Sequence, residues 1–563
     1  MATVLRQRAA EPLSIPKRGR GELTAGVTCL ALLAVIPLCT LCISLPAFAG
    51  TYYVSTAGSD TAPGTLDAPW RTIRTSVTRL QDGDVLIVQP GTYYEGNINT
   101  GIHATPITIQ AAVPREAIID GTGHNWFGIG VNDPNPPRYQ GCRLIGLKIQ
   151  NQKIGIGCQT TADDFYIENC EITGCTNSAI HCYSGSNWTV RNTYAHGNRN
   201  GIWFGVKGVS GVSGVLVEDC LCVDNTNPTD PNTDGVLVEE LCGDTVVRRC
   251  TASGHGDQGF DIKPNAALVE RCLSHGNMGG FKLWGEGIRL VNCMARNNAG
   301  TGLKLMGDRT ELWNCTVAYN ETGLRPQAPD NSTVVVRNTI VAFNMNKQYT
   351  TTLFDDDYNL YWVPAGQPMW RFFIGDEMHD YTVDDLAAGS LAIGPHTLLA
   401  DPQFVNAAGG DLTPGAQSPA IAAGVWAEFL TEDLLGNPRR IGAPPDIGAV
   451  STWTGPPAPS VNAVSPDTGV NAGPVQVTIT GAGFRVGSTA KLTRAEHADI
   501  TATGTVVDGP GQIHCTFDLS RAALGDWTVV VTNEDGQYGK LIDAFSVTGE
   551  LHCPPKSGQR SSP

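Results

Sequence analysis

The chain repeats itself between about residue 140 and residue 345. Each repeat is a short apolar strand ending in Asn/Arg-Cys, then a turn, a glycine and another short strand. The repeat cysteines Cys250, Cys272, Cys293 and Cys315 are separated by 22, 21 and 22 residues. A strand-built period in the twenties predicts a solenoid whose turns stack on one another. Residues at equal positions in successive turns then become neighbours about 4.8 Å apart.

The repeat cysteines are expected to be reduced and buried. Cys170, Cys220 and the four above follow alternating apolar residues, one in each turn. We interpret them as an internal stack of small, readily buried thiols. No CxxC pair or histidine partner accompanies the stack, which argues against metal ligation. Cys515 and Cys553 lie outside the repeat, and a disulfide between them is left open.

Residues 1–49 predict an export signal. Five basic residues precede an apolar run from about Ala25 to Pro46, and Ala47-Phe48-Ala49 supplies a cleavage site. The alternative is a membrane anchor, because the run is near spanning length. We expect a secreted or cell-surface protein without stable membrane insertion after cleavage.

The charge of the chain excludes one class of partner. The whole chain carries −16, and removing the five basic and two acidic residues of the first 49 leaves −19. Such an acidic surface argues against nucleic acid as a partner. We expect a monomer, and any acidic substrate must be held by local cations.

Residues 50–104 carry a second specific pattern. The stretch contains Tyr52-Tyr53-Val54-Ser55, Gly58-Ser59-Asp60, Pro63-Gly64-Thr65 and Pro69-Trp70. It resembles the entry segment of secreted right-handed parallel β-helix proteins. The resemblance implies an all-β fold, with a right-handed parallel β-helix over residues 50–453, an N-terminal cap at 50–104 and a finishing segment at 355–453. Residues 71–80 have helical potential and are expected to cover the open end of the solenoid.

The C-terminal part predicts a separate module. Residues 454–460 form a proline-rich linker. Residues 461–548 resemble the immunoglobulin-like IPT/TIG fold, with regular short strands that suit a β-sandwich. A spacer or binding role is typical of that module, and residues 549–563 are left as a tail.

One outward column of side chains follows from aligning the glycine-headed strands. The second residue of each Gly-x-x triplet is apolar and points inward, so the third points outward. The column reads Trp203, Leu237, Asp261, Lys282, Lys304, Arg325. An aromatic, an acid and three cations suit a platform for an acidic sugar chain. The asparagines that precede these strands, at 198, 277, 298 and 320, are interpreted as structural.

Acidic residues converge near the start of this column. By register Asp234 lies one turn from Gln258, next to Asp257 and near Asp261. Three carboxylates and an amide oxygen on adjacent turns can supply the oxygen ligands that Ca²⁺ prefers. The sequence therefore predicts a calcium site there.

These residues resemble the family 9 pectate lyases. The likeness is carried by Asp234-Gly235, by residues 257–261 (Asp-Gln-Gly-Phe-Asp) and by residues 280–283 (Gly-Phe-Lys-Leu). It implies that Asp234, Asp257 and Asp261 hold calcium and that Lys282 is the catalytic base. Gln258 stands where the family has an acid, which removes one negative charge from the site.

The implied reaction is β-elimination on a uronate polymer such as pectate. Lys304 and Arg325 would hold substrate carboxylates, and Trp203 would contact a sugar ring. Two alternatives remain open. The first is a polygalacturonase-like hydrolase, suggested by Asn232-Thr233-Asp234 and by Gly254-His255-Gly256. The second is a non-catalytic carbohydrate-binding or cell-surface protein, because a β-helix fold alone does not establish an activity.

Overall fold

The structure is a computed structural model that describes residues 49–101, 103–123, 127–131, 139–327, 333–345, 348–350, 354–374 and 377–549. Apart from its last residue, the predicted export signal lies outside these ranges, and so does the predicted tail after Gly549. No helix within them is long and apolar enough to cross a membrane.

Two long parallel sheets build the solenoid in the described ranges. The larger one has 23 strands. Its strands are Thr51–Val54, Val85–Val88, Ile98–Asn99, Ile107–Ala111, Phe127–Val131, Tyr139–Gln140, Cys142–Ile145, Ile154–Asp163, Tyr166–Glu168, Ser178–Arg191, Asn200–Phe204, Val212–Glu218, Val236–Val238, Val246–Arg248, Gln258–Ile262, Leu268–Glu270, Gly279–Leu283, Arg289–Val291, Thr301–Leu305, Thr310–Trp313, Thr322–Pro326, Val334–Arg337 and Phe354–Asp357.

The second sheet has 13 strands in the described ranges and runs strictly in chain order. Its strands are Gly91–Tyr94, Ala117–Asp120, Lys148–Gln150, Glu171–Thr173, Tyr194–His196, Leu221–Val223, Thr251–Ser253, Leu273–His275, Met294–Arg296, Thr316–Ala318, Ile340–Ala342, Leu360–Trp362 and Leu398–Leu399. A central coil adds two strands to the larger sheet and one to the smaller, as Gln258–Ile262, Leu268–Glu270 and Leu273–His275 do. The predicted parallel β-helix is therefore confirmed.

The interior is held by like side chains stacked from coil to coil. Phe260 and Phe281 occupy equal positions, and their rings stack with centroids 4.7 Å apart. Every cysteine in the described ranges is free and buried, which confirms the predicted stack of reduced thiols. Burial raises the pKa of the Cys142 and Cys222 thiols. Cys515 is among the free thiols, whereas Cys553 lies outside the described residues.

A ladder of buried asparagines runs along one inner corner. The amide oxygen of Asn298 accepts from the backbone N–H of Asn277 at 3.1 Å, and that of Asn320 accepts from Asn298 at 3.1 Å. This confirms their structural role, and the ladder also contains Asn225 and Asn344. Each rung satisfies backbone groups that the corner would otherwise leave without partners.

His255 occupies one rung of this asparagine ladder. Its backbone N–H donates to the Asn277 amide oxygen at 2.9 Å, and its ring nitrogens face the carbonyls of Asn225 and Cys222 at 3.3 and 3.1 Å. The side chain is buried. The Gly-His-Gly segment that suggested a hydrolase therefore places its histidine inside the solenoid, away from the outer column.

We expect His255 to make the fold sensitive to acid. Burial lowers the pKa of His255 to about 4. Between about pH 6.5 and about pH 4 the histidine is therefore protonated in the unfolded chain but neutral in the folded protein. The unfolding free energy should therefore fall as the pH drops from about 6.5 to about 4, by about 2–3 kcal/mol between pH 7 and pH 4.5 for this one residue. Urea denaturation of wild type and His255→Asn, which keeps an amide on the rung, measures the difference. Parallel pH profiles for the two proteins would contradict the assignment.

The residues whose sequence pattern predicted the N-terminal cap also make its packing contacts. The helix spans Ile73–Val77, shorter than the predicted 71–80, and Glu95 accepts the backbone N–H groups of Ile73 and Arg74 at 2.9 and 2.8 Å. Trp70 is buried against Gly64, whose φ of +82° and close approach leave no room for a side chain. The pattern is therefore needed to seat Trp70 over the end of the core.

The finishing segment folds back along the last coils. Its elements are Pro368–Ile374, Glu377–Thr382, the helix Val383–Ala387, Phe404–Asn406, the 3₁₀ turn Ala407–Gly409 and Asp411–Pro414, with Gln348–Thr350 pairing onto the first of them. Arg439 is fully buried and donates to the Asn292 side chain at 2.8 Å and to the Gly448 carbonyl at 2.8 Å. This contact joins the segment to a coil 147 residues earlier.

The C-terminal residues form a small β-sandwich. One sheet contains Ser460–Ser465, Pro474–Ala482, Gln512–Asp518 and Thr503–Gly509, and the other contains Thr468–Val470, Tyr538–Thr548, Gly525–Thr532, Thr489–Thr493 and Ile500–Thr501. Phe517, Trp527 and Phe545 are buried between them. The sandwich contacts the finishing segment, because Lys540 pairs with Glu428 at 2.6 Å and the Gln537 amide oxygen accepts from Ile441. The predicted small β-domain is therefore present, and its IPT/TIG identity stays a prediction.

Candidate active site

The outward column exists as the register predicted. Trp203 pairs with Leu237, Leu237 with Asp261, and Asp261 with Lys282. Lys282 pairs in turn with Lys304, and Lys304 with Arg325. The inner neighbours of these residues, such as Phe260 and Phe281, are fully buried, whereas Lys282, Lys304 and Arg325 are partly exposed. An acid and three cations thus follow one another along the outer wall.

Asp261, Lys282 and Trp284 form a compact group on this wall. The Lys282 ammonium lies 3.8 Å from Asp261 Oδ2 and 4.7 Å from the centre of the Trp284 ring. The Trp284 indole N–H donates to Asp261 Oδ1 at 2.8 Å. Trp284 shares the face of Lys282 because the two are separated by two residues on one strand path. The amine of Lys282 is therefore held at the surface by two side chains and keeps access to solvent.

The other two acids lie beside this group. Asp234 is 3% exposed, and its carboxylate accepts the backbone N–H of Gln258 at 3.0 Å. Burial, with Asp261 and Asp257 adding repulsion, raises the pKa of Asp234 to about 8. Burial likewise raises the pKa of Asp261, although Lys263 and Lys282 oppose the shift. The carboxylates of Asp234, Asp257 and Asp261 therefore lie close enough to repel one another.

The amide oxygen of Gln258 does not point at the predicted ligand set, although its N–H contacts Asp257. Its amide N–H donates to Asp257 Oδ1 at 2.5 Å, and its amide oxygen lies against Gly279 of the next coil. A Cβ atom on Gly279 would come within 2.1 Å of that oxygen, so a larger residue there would displace the Gln258 amide. In this rotamer the glutamine donates a hydrogen bond to Asp257 and turns its amide oxygen toward Gly279.

Two further charged residues belong to the site and were missed by the sequence analysis. Lys263 lies on the same face as Asp261, and its ammonium is 2.7 Å from Glu239 Oε2 and 3.8 Å from Asp261 Oδ2. Glu239 is 3% exposed. The same register counting could have found both, because Glu239 and Lys263 directly follow the paired residues Val238 and Ile262.

Aromatic side chains continue the wall toward the N-terminal coils. The Trp203 and His181 rings stack with centroids 4.0 Å apart, and His181 packs on Tyr183 at 4.2 Å. The Trp203 indole N–H is buried without a hydrogen-bond partner among the described residues. Burial lowers the pKa of His181 to about 3, so the ring is neutral. The stack gives the wall an apolar, ring-lined end next to its charged centre.

Lys304 and Arg325 continue the wall toward the C-terminal coils. Burial and the neighbouring charges of Lys282 and Arg325 lower the pKa of Lys304. Three cations in register at a strand spacing of about 4.8 Å create a positive strip on an otherwise acidic protein. Such a strip can bind a chain of carboxylates.

The fit of calcium to this site rests on its donor chemistry. Within the described ranges, no group of three or more acid, histidine or cysteine side chains is arranged to hold a metal ion as it stands. However, Asp234, Asp257 and Asp261 offer only oxygen donors, and repulsion from Asp261 and Asp257 adds to the burial that raises the pKa of Asp234. Hard oxygen donors with excess negative charge suit Ca²⁺.

The fold and the wall define a parallel β-helix protein with a charged column on its outer wall. Its coil region, residues 52–332, matches the family model described as Pel9A-like, right handed beta helix region. Pectate lyase PEL9 of Emericella nidulans is 25% identical over 319 residues, covering 52% of this chain and 73% of that protein. The coil region is thus a right-handed parallel β-helix that is similar to the Pel9A-like family.

Two solved structures are also similar to this chain. The pectate lyase Pel9A crystal structure has a TM-score of 0.46 at 18% identity, covering 71% of this chain and 96% of that chain. XylC in complex with xylose has a TM-score of 0.44 at 11% identity, covering 72% of this chain and 98% of that chain.

Proposed function

We propose that the protein is a calcium-dependent polysaccharide lyase that cleaves an acidic uronate polymer such as pectate by β-elimination. The observation that supports this most is the outer column in which Asp261, Lys282, Lys304 and Arg325 follow one another in register. The likeness to a pectate lyase agrees with it. Export to the cell exterior is part of the same proposal, since such polymers lie outside cells. Action as a monomer is also part of it.

The chemistry assigns a role to each residue. Calcium, held by Asp234, Asp257 and Asp261, would neutralise the substrate carboxylate and so acidify the proton on C5. The neutral amine form of Lys282 takes that proton and becomes the ammonium, and the electron pair of the C5–H bond forms the C4=C5 double bond. The C4–O bond breaks, and the leaving oxygen takes a proton from solvent. The Trp284 ring and Asp261 position the Lys282 amine for the transfer.

The remaining residues of the column position the polymer. Lys304 and Arg325 hold carboxylates of neighbouring sugar residues, Arg325 through a bidentate pair. Trp203 packs on a sugar ring at the other end of the wall. Polymer binding is thereby spread over several coils, while bond cleavage is confined to the coils of Asp261 and Lys282.

A substrate panel tests this function. The purified protein is incubated with pectate, alginate and glycosaminoglycans, with calcium and with a chelator, and ultraviolet absorbance of the unsaturated product is followed. We expect absorbance to rise with a uronate polymer and calcium, and to stop when the chelator is added. Binding without any cleavage would instead support a carbohydrate-binding protein.

Hydrolysis is the second candidate, and the state of Asp234 favours it. A pKa of about 8 keeps this carboxyl protonated at neutral pH in the absence of calcium, as a general acid requires. Asp257 and Asp261 are nearby carboxylates that a hydrolase would use as the base. New reducing ends without ultraviolet absorbance in the same panel would establish this reaction in place of elimination.

A further inference from the structure

Lys263 is a second cation inside the acidic cluster. Its side chain is 13% exposed, and its ammonium lies 2.7 Å from Glu239 and 3.8 Å from Asp261. Asp261 is also 3.8 Å from the ammonium of Lys282. One of the acids assigned to calcium therefore already has two ammonium groups beside it.

The backbone fixes Lys263 in this position. Its N–H donates to the Val238 carbonyl at 3.0 Å, and the N–H of Trp284 donates to the Ile262 carbonyl at 2.9 Å. Lys263 is thus clamped between the coil of Glu239 and the coil of Trp284. The closer partner of the Lys263 ammonium is the buried carboxylate of Glu239. This ion pair keeps the ammonium in place even when Asp261 binds calcium.

We propose that Lys263 sets the calcium affinity of the cluster, keeping it low by repulsion. The proposal rests on the proposed function, in which Asp261 is a calcium ligand. A cation bound at Asp261 would lie next to an ammonium that remains paired to Glu239. Two like charges a few ångströms apart at a poorly hydrated site repel strongly. Together with glutamine at position 258, this lowers the attraction of the cluster for a divalent cation.

The consequence is a site that fills only when calcium is abundant. Oxygen sites of reduced charge bind calcium in the range of about 10⁻⁴–10⁻³ M, compared with about 10⁻⁷ M or tighter for highly charged, rigid sites. The lyase activity of the proposed enzyme would then follow the calcium concentration of its surroundings. Lys263 is a positioning and tuning residue in this scheme, since it touches neither substrate nor the reacting proton.

Calorimetric titration of calcium into the full chain tests the proposal. Lys263→Met removes the charge at nearly constant length, and Lys263→Arg keeps it. Lys148→Met is the matched control, because Lys148 also forms a 2.7 Å ion pair, with Glu171 on the 13-stranded sheet, and is partly buried. We expect Lys263→Met to lower the Kd for calcium at least about tenfold. Lys263→Arg and Lys148→Met should bind like wild type.

The outcomes separate this inference from the function it rests on. Equal calcium affinity in wild type and Lys263→Met, or weaker binding in the variant, overturns the role of Lys263 and leaves the lyase proposal standing. Absence of calcium binding in every variant at millimolar calcium overturns both the tuning role and calcium dependence. Tighter binding in Lys263→Met, without product from any uronate polymer, supports the tuning role and rejects the lyase. Circular dichroism melting of each variant in chelator verifies that the fold is intact.

Discussion

Replacing Lys282 with alanine is expected to reduce formation of unsaturated product by a factor of about 10²–10⁴, the range that a positioned base contributes. Lys282→Arg should be as inactive as the alanine variant. Arginine keeps the positive charge, yet it does not give up its proton at any accessible pH. Initial rates on the best polymer of the panel, at saturating calcium, measure both effects.

The arginine variant separates two roles for Lys282. If Lys282 only bound a substrate carboxylate, Lys282→Arg would retain most of the rate, and that result would remove Lys282 as the base. The matched control is Lys148→Ala, which removes a lysine far from the wall. Lys263 still lies 3.8 Å from Asp261 when Lys282 is replaced, so the buried carboxylate keeps a cation beside it and the fold should be retained.

Replacing Arg439 with methionine is expected to lower the unfolding free energy by about 3–5 kcal/mol. The buried guanidinium donates to the Asn292 side chain and to the carbonyls of Asp446, Gly448 and Ala449. Its removal leaves the Asn292 side-chain oxygen buried without a donor, at a cost of about 1–3 kcal/mol. It also takes a charged donor from three carbonyls, which keep hydrogen bonds from Asn314 or Leu434. Urea denaturation followed by tryptophan fluorescence measures the loss.

The neighbouring Arg440 provides the control for this prediction. Arg440 is exposed and lies over the Trp453 ring at 5.6 Å, so Arg440→Met should change the unfolding free energy by less than about 1 kcal/mol. Arg439→Lys should also be destabilising, because three ammonium donors cannot reproduce the planar fork of five. A stable Arg439→Met protein would show that the finishing segment does not depend on this contact.

The part of the site that could be predicted from sequence is the part set by strand geometry. Parallel strands one turn apart have a fixed spacing, so counting from one glycine-headed strand to the next placed Asp261, Lys282, Lys304 and Arg325 in one column. The inner stacks of cysteine and asparagine followed from the same counting. Because the repeat is regular, residues one turn apart in the sequence can be placed side by side in space by counting alone.

Counting residues along the repeat could not predict side-chain conformation or burial. The rotamer that turns the Gln258 oxygen toward Gly279 has no signature in the sequence. The deep burial that raises the pKa of Asp234 depends on packing over several coils. His255 was missed as a member of the ladder because a histidine there replaces the expected asparagine. Arg439 was missed because its partners lie up to 147 residues away, outside any repeat.

The asparagine ladder also bears on how such a protein can change length during evolution. Each asparagine rung accepts a backbone N–H from the preceding coil, so duplicating one complete asparagine-bearing coil would insert a self-sufficient layer. An insertion of one residue within a strand would instead rotate all later side chains of that strand to the opposite face. Genetic gain or loss of binding surface should therefore proceed in whole layers, leaving the chemistry of the central ones intact.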